Sequence, residues 1–256
     1  MRCNHGTSAK TFMIRFALDF GNSRVKCHAQ GPQYLGAFAY SSTDWDIELL
    51  RIIKDHAQGA DCIIGISSVN PSMDQHITKL LDEEHITSIR TKSLLTKADT
   101  IDFSCISGMG EDRMHGLFGA LQLTKPPLIT IDCGTALTYN VLDAHGICLG
   151  GAILPGFTTM YTTLGSKTAG LPQLAPQSTK SIIGASTHEA IHAGISSAMS
   201  GAILNCIMAY PQHEILIFGG DAESIMAIMD DKSPKKLHFA PDCIAHGIFA
   251  ALDLHA

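Results

Sequence analysis

FALDFGNSRVKCHAQG, residues 16–31, and LITIDCGTALTYNVLDAHG, residues 128–146, carry one pattern twice. Each stretch opens on an apolar, strand-like run and reaches an aspartate, Asp19 or Asp132. A glycine follows two residues later, Gly21 or Gly134, then a hydroxyl or amide residue and a second strand-like run. A fixed internal repeat outranks local signals when a fold is inferred, because each copy is one structural unit. Asp-x-Gly is also an ordinary hairpin turn. Its recurrence in the same strand context, at the head of each half of the chain, points to a duplicated α/β domain.

Outward from these stretches the pattern continues. Trp45–Gln58 has helical spacing, with Ser42, Thr43 and Asp44 as candidate caps. Asp61–Val69 is a short apolar run of the kind that forms a buried strand. Asn70-Pro71 breaks it, and a helix is predicted over Met73–Glu84, with a short strand at Ile86–Arg90. A further helix is predicted from about Asp112 to Leu123. Lys125-Pro126-Pro127 is the stiffest break in the chain and the expected boundary between a first domain, 12–124, and a second, 125–256. In the second half, strands are expected at Leu128–Ile131, Ala136–Leu142, Ile147–Ile153, Glu214–Phe218 and Leu237–Phe239. Helices are expected at Thr187–Tyr210, after Gly219-Gly220, and at Cys243–Leu254. Residues 155–184 read as irregular, and residues 1–11 as a disordered, polar extension.

Bulk composition narrows the function. The 256 residues are 45% apolar and 16% charged with a net charge of −6, the profile of a compact globular enzyme. A mildly acidic chain has no general attraction for nucleic acid or anionic membrane. The eight cysteines are scattered with no C-x-x-C pair, which argues against a zinc ribbon and for a reducing compartment. Phe12–Leu18 is short, carries Arg15 and lacks a cleavage site, so it is not read as a signal peptide. The apolar stretch 191–210 contains His192, three serines and Asn205 and reads as a buried helix. A cytoplasmic protein is expected.

The chemistry follows from the two Asp turns. A glycine turn lets successive backbone N–H groups converge on phosphate oxygens, and Asn22, Ser23 and Thr135 add side-chain donors. An aspartate at the strand end suits a hydrated divalent metal that neutralises nucleotide phosphates. Phosphoryl transfer asks for little beyond positioning and charge neutralisation. GMGEDR, residues 108–113, sets Asp112 beside Arg113: a carboxylate able to take a hydroxyl proton, and a planar fork that matches a substrate carboxylate. A surface helix start would use the same two residues. Gly219-Gly220 offers a backbone that a base or ribose approaches closely.

DFGNS at Asp19, GMGEDR at Gly108, DCGTALT at Asp132, GGAILPG at Gly150, KTAGLP at Lys167, GASTHEAIHAG at Gly184 and FGGDA at Phe218 stand in the order seen in type III pantothenate kinases. The chain from Phe16 onward resembles that family. The resemblance implies an actin-like ATPase fold: two ribonuclease-H-like domains with a nucleotide cleft between them, as in acetate and sugar kinases. It implies transfer of the γ-phosphate of ATP to pantothenate, with Mg2+ and a monovalent cation, K+ or NH4+. It implies ATP binding by Asp19, Phe20, Gly21, Asn22, Ser23, Arg24, Val25, Lys26 and Thr135. Gly110, Glu111, Asp112, Arg113, Phe103 and Thr187 would bind pantothenate, Asp112 being the proton acceptor. Asp132 would hold the monovalent cation. It further implies an obligate homodimer whose interface includes GGAILPG. One departure stands out: three residues after the aromatic Phe103, the family's usual proline is Ile106.

Two other readings remain. His188-Glu189-x-x-His192 matches the zinc-protease signature, with Glu189 as base. Ile195 stands where the extended motif needs glycine, and a third ligand would be a distant acid such as Glu214 or Glu223. The other reading is a non-catalytic nucleotide-binding regulator of the same fold, which fold alone does not exclude.

Overall fold

A computed structural model describes residues 13–229, 233 and 235–255. The N-terminal extension expected over 1–11 lies outside them. The chain forms two compact units, 1–91 and 92–256.

The first unit contains β1 (Ile14–Phe20), β2 (Arg24–Ala29), β3 (Gln33–Ala39), α1 (Trp45–Ala57), β4 (Cys62–Ser68), α2 (Pro71–Glu83) and β5 (Thr87–Arg90). Its sheet runs β3-β2-β1-β4-β5, antiparallel through β3, β2 and β1, then parallel through β4 and β5. Alternation puts Phe16, Leu18, Phe20, Ile64 and Ile66 on one face, buried against Leu49, Ile53, Ile77 and Leu81 of the two helices. Asp19 and Ser67, paired in register, share the opposite face. Asn70 caps α2 through its side chain and Pro71 takes the first helical position. The helix therefore begins two residues before the predicted start: the break is the cap itself.

The second unit contains α3 (Lys92–Leu95), α4 (Glu111–Leu123), β6 (Leu128–Cys133), β7 (Ala136–Leu142), β8 (Cys148–Pro155), α5 (Phe157–Lys167), α6 (Thr187–Ala209), β9 (Glu214–Phe218), α7 (Ala222–Met229), β10 (Leu237–Phe239) and α8 (Cys243–Asp253). Its sheet, β8-β7-β6-β9-β10, repeats the first strand for strand, with the same sense at every pairing. The duplication expected from the Asp turns is thus a duplication of topology. One face of this sheet carries Ile129, Ile131, Cys133, Leu137, Val141, Ile215 and Ile217 against α5, α6 and α7. The other face carries Thr130, Asp132, Thr138, Asn140 and Phe218, and lies under α4.

The units divide after Thr91, not at Lys125–Pro127, which falls inside the second unit. The reason is the seating of α4. At Gly119, an added Cβ would lie 1.7 Å from the Cys243 carbonyl oxygen; at Gly247, 2.0 Å from that of His115. Glycines on both helices let the α4 and α8 backbones touch, and the Cys243 thiol donates to the Gly116 carbonyl at 3.3 Å. α4 therefore belongs to the sheet that follows it.

His115, fully buried in α4, donates from Nδ1 to the Glu111 carbonyl at 2.7 Å. Burial pulls its pKa down from 6.5 to about 4, the hydrogen bond opposing and Lys92 assisting. The unfolded chain therefore takes up this proton first, so stability is complete above pH 6.5 and is lost as pH falls toward 4. The displacement corresponds to roughly 3 kcal/mol. Denaturant unfolding at pH 7 and pH 4.5 should show a pH-dependent loss in the wild type that shrinks by about that amount in His115→Gln. An equal loss in both would contradict this assignment.

Candidate active site

In the first unit, Asp19 is the penultimate residue of β1, and the chain turns through Gly21–Ser23 into β2. The Gly21 N–H donates to the Arg24 carbonyl at 3.1 Å. The second unit closes a turn one residue shorter, Gly134 N–H to the Ala136 carbonyl at 3.1 Å. Asn22, Ser23 and Arg24 are exposed at the first turn, and Lys26 pairs with Asp19 across the hairpin. Phe20 and Val25 are fully buried in the core, so they offer a phosphate only their backbone. Sequence reading missed Tyr40. Its hydroxyl donates to the Gly21 carbonyl at 3.1 Å, and its N–H donates to Ser23 at 3.1 Å. Burial raises the Tyr40 pKa, with Asp19 and Asp74 adding to the rise, so the phenol stays protonated and keeps the turn pinned.

In the second unit the Asp132 turn is braced by two further loops. The Asp221 N–H donates to the Cys133 carbonyl at 2.9 Å, and the Gly156 N–H to the Thr135 carbonyl at 2.9 Å. Thr159 Oγ1 donates to that same Thr135 carbonyl at 2.6 Å. The Asp221 carboxylate accepts from Thr158 N and Oγ1 at 3.2 and 3.0 Å, tying the Gly219-Gly220 turn to the start of α5. Gly219 has φ +100°, and a Cβ there would sit 2.6 Å from Asp132 Oδ1. Glycine is what lets this backbone meet the carboxylate.

The donor set around Asp132 suits a hard cation. Thr138 is its register partner on the same face, and among the described residues the buried Thr138 hydroxyl has no hydrogen-bond partner. A buried hydroxyl without a partner is costly unless something else satisfies it. Oxygen donors of this kind fit a group-I or divalent ion better than a soft metal.

Gly110 caps α4, and Asp112 folds back toward it. Asp112 Oδ1 accepts from the Arg113 N–H at 2.8 Å, and a Cβ on Gly110 would lie 2.7 Å from that oxygen. Burial raises the Asp112 pKa, opposed by the Arg113 N–H and guanidinium. Arg113 Nε donates to Asn140 Oδ1 on β7 at 2.7 Å. Gly110, Glu111, Asp112 and Arg113 thus stand together at the start of α4, above the face that carries Asp132. Phe103 stacks at 6.4 Å on Phe118 of the same helix. The Ile106 N–H donates to the Phe103 carbonyl at 2.9 Å, closing a turn with a bond that proline, lacking an N–H, does not make. Thr187 lies elsewhere, at the start of α6 on an apolar groove of about 600 Å³ that none of residues 110–113 lines.

Two of the H-E-x-x-H residues, Glu189 and His192, are otherwise engaged. Glu189 accepts from the Ala185 and Ser186 N–H groups at 2.8 and 3.2 Å, half of a capping box with Ser186. His192 Nδ1 bonds the Tyr161 hydroxyl at 2.8 Å. Helix capping and core packing account for this match.

Two five-stranded units of identical topology, each with an Asp-Gly turn at the end of its first strand, define the actin-like class of α/β proteins. Solved structures agree on the fold. MreB5 of Spiroplasma citri bound to ADP aligns with a TM-score of 0.54 at 11% identity, over 94% of this chain and 96% of that one. A Campylobacter jejuni protein described as a Baf family transcriptional activator aligns at 0.62 and 16% identity, over 94% and 98%. Within this class, the family model for type III pantothenate kinase matches residues 15–209. The type III pantothenate kinase of Synechococcus elongatus is 32% identical over 92% of this chain and 95% of its own length. That of Flavobacterium johnsoniae is 30% identical over 80% and 85%. The chain belongs to the type III pantothenate kinase family.

Proposed function

We propose that this protein is an ATP-dependent pantothenate kinase, catalysing the first step toward coenzyme A. The observation that carries the reading is the paired arrangement at the start of α4: a half-buried carboxylate, Asp112, beside a guanidinium, Arg113, held by a strand of the sheet below. Arg113 receives the carboxylate of pantothenate through its remaining N–H groups. Asp112 accepts the proton of the primary hydroxyl as that oxygen bonds to the γ-phosphorus of ATP. The bond from this phosphorus to the bridging oxygen breaks, and ADP leaves. The raised pKa of Asp112 brings its basicity closer to that useful for a general base.

The two turns supply phosphate contacts: Asp19–Lys26 in one unit and Thr135 in the other. Phe103, packed on Phe118 of α4, adds a substrate contact; Thr187, on the separate groove at α6, stands apart from it. Asp132, with the Thr138 hydroxyl beside it, would hold a monovalent cation, K+ or NH4+. Mg2+ accompanies ATP and offsets its charge.

The apolar groove between α5 and α6, lined by Pro155, Met160, Leu164, Ile191 and Ile195, supports a homodimer through this side. α6 is long and apolar enough to cross a membrane, but half of it is buried. The described cysteines are free thiols, most of them buried, which supports work in the reducing cytoplasm.

A panel of small hydroxy acids, incubated with MgATP with and without potassium, tests the reading. ADP release is expected with pantothenate above the others, faster with potassium, from a protein twice the chain mass by light scattering. Equal release from every acid would overturn it.

A further inference from the structure

Arg113 is a long, flexible side chain asked to hold a planar fork still. Its Nε reaches Asn140 Oδ1 at 2.7 Å, and Asn140 Nδ2 donates to Thr130 Oγ1 at 3.2 Å. Asn140 is 3% exposed and Thr130 fully buried. They are register partners on β7 and β6, on the face beneath α4. This leaves the terminal amino groups of Arg113 with no other hydrogen bond among the described residues, available as a parallel pair. A guanidinium bonded at Nε loses its swing and presents a fixed edge to a carboxylate.

We propose that Asn140 is a positioning residue for substrate recognition: with Thr130 it orients Arg113, and so sets the preference for an anionic over a neutral substrate. The proposal rests on the pantothenate kinase reading. Its chemistry is a two-step relay, in which the buried threonine hydroxyl fixes the amide and the amide fixes the guanidinium. Polar pairs like this are costly in a core unless fully satisfied, and here each member satisfies the next.

The test is steady-state kinetics on the full-length protein with two substrates that share the reacting hydroxyl: pantothenate, and its analogue with the carboxylate reduced to an alcohol. Wild-type turnover of pantothenate comes first; without it, the functional reading fails and the relay is not at issue. Given turnover, Asn140→Ala should raise KM for pantothenate by about tenfold, the scale of one hydrogen bond to a charged group. KM for ATP should stay within about twofold, and kcat/KM for the alcohol should change little. Asn140→Asp, which keeps the acceptor, should restore most of the pantothenate KM. In the Arg113→Lys background, Asn140→Ala should add almost nothing, because the group it orients is gone. An Asn140→Ala penalty equal for both substrates, or one that persists undiminished in Arg113→Lys, would overturn the proposal and leave Asn140 a core residue only. If Asn140→Ala does not fold, Thr130→Val, which removes the far end of the relay, should shift the same ratio in the same direction by a smaller factor; an unchanged ratio would overturn it.

Discussion

Asp112→Asn lowers kcat by about a hundredfold or more, the scale of losing a positioned general base, while KM for ATP and the melting temperature hold. Asparagine keeps the size and accepts the Arg113 N–H as Asp112 Oδ1 does, but it takes no proton from the attacking hydroxyl. The fold should tolerate the change for an electrostatic reason. Burial raises the Asp112 pKa. Its contribution to stability is therefore complete below the unfolded value of 3.8 and is lost as pH rises through the higher folded value. At neutral pH the ionised carboxylate is a cost that the neutral amide removes. Catalysis moves the other way. The base must be ionised, so wild-type kcat/KM should fall on the acid side with a midpoint above 3.8. Retained wild-type turnover in Asp112→Asn would exclude Asp112 as the base.

Gly119→Ala and Gly247→Ala are each expected to destabilise the protein, because the added methyl meets backbone of the other helix. Alanine is ordinarily the better helix former by about 1 kcal/mol. Here the new methyl would meet a backbone carbonyl of the other helix at 1.7 or 2.0 Å. A carbonyl on a packed helix does not rotate away, so α4 and α8 must separate. Overpacking of this kind costs roughly 1–3 kcal/mol and sometimes more. It also tilts the helix whose first turn carries Asp112 and Arg113, so activity should fall even where the protein still folds. Gly170→Ala, in open space, is the matched control and should leave the melting temperature unchanged. Equal melting temperatures for all three variants would contradict the close crossing.

The duplication was legible because Asp-x-Gly punctuates both halves within identical strand patterns. Other features were not. α5 reads FTTMYTTLGSK, rich in β-branched threonine and poor in intrinsic helix preference. It forms because Phe157 and Tyr161, four residues apart, both bury in the core, a tertiary effect without a local signal. A boundary at Lys125–Pro127 is the expectation from sequence because a stiff linker looks like a hinge. Whether α4 packs forward or backward depends on Gly119 meeting Gly247, more than a hundred residues on. Asp112 and Arg113 were readable as a motif, but Asn140 was not. The available hint is that Thr130 and Asn140 are polar residues at interior positions of largely apolar strands. Such a pair asks for a partner, and Arg113 is that partner. Tyr40 and Asp221 hold their turns across 19 and 63 residues, and nothing near them in sequence announces it.

Product identity tests most directly whether this protein phosphorylates the primary hydroxyl of pantothenate. Purified protein with MgATP and pantothenate should give a species heavier than pantothenate by one phosphoryl group in mass spectrometry. Its phosphorus resonance should be that of a phosphomonoester coupled to a methylene, and one ADP should form per product. ATP hydrolysis to free phosphate, with pantothenate recovered unchanged, would contradict the account.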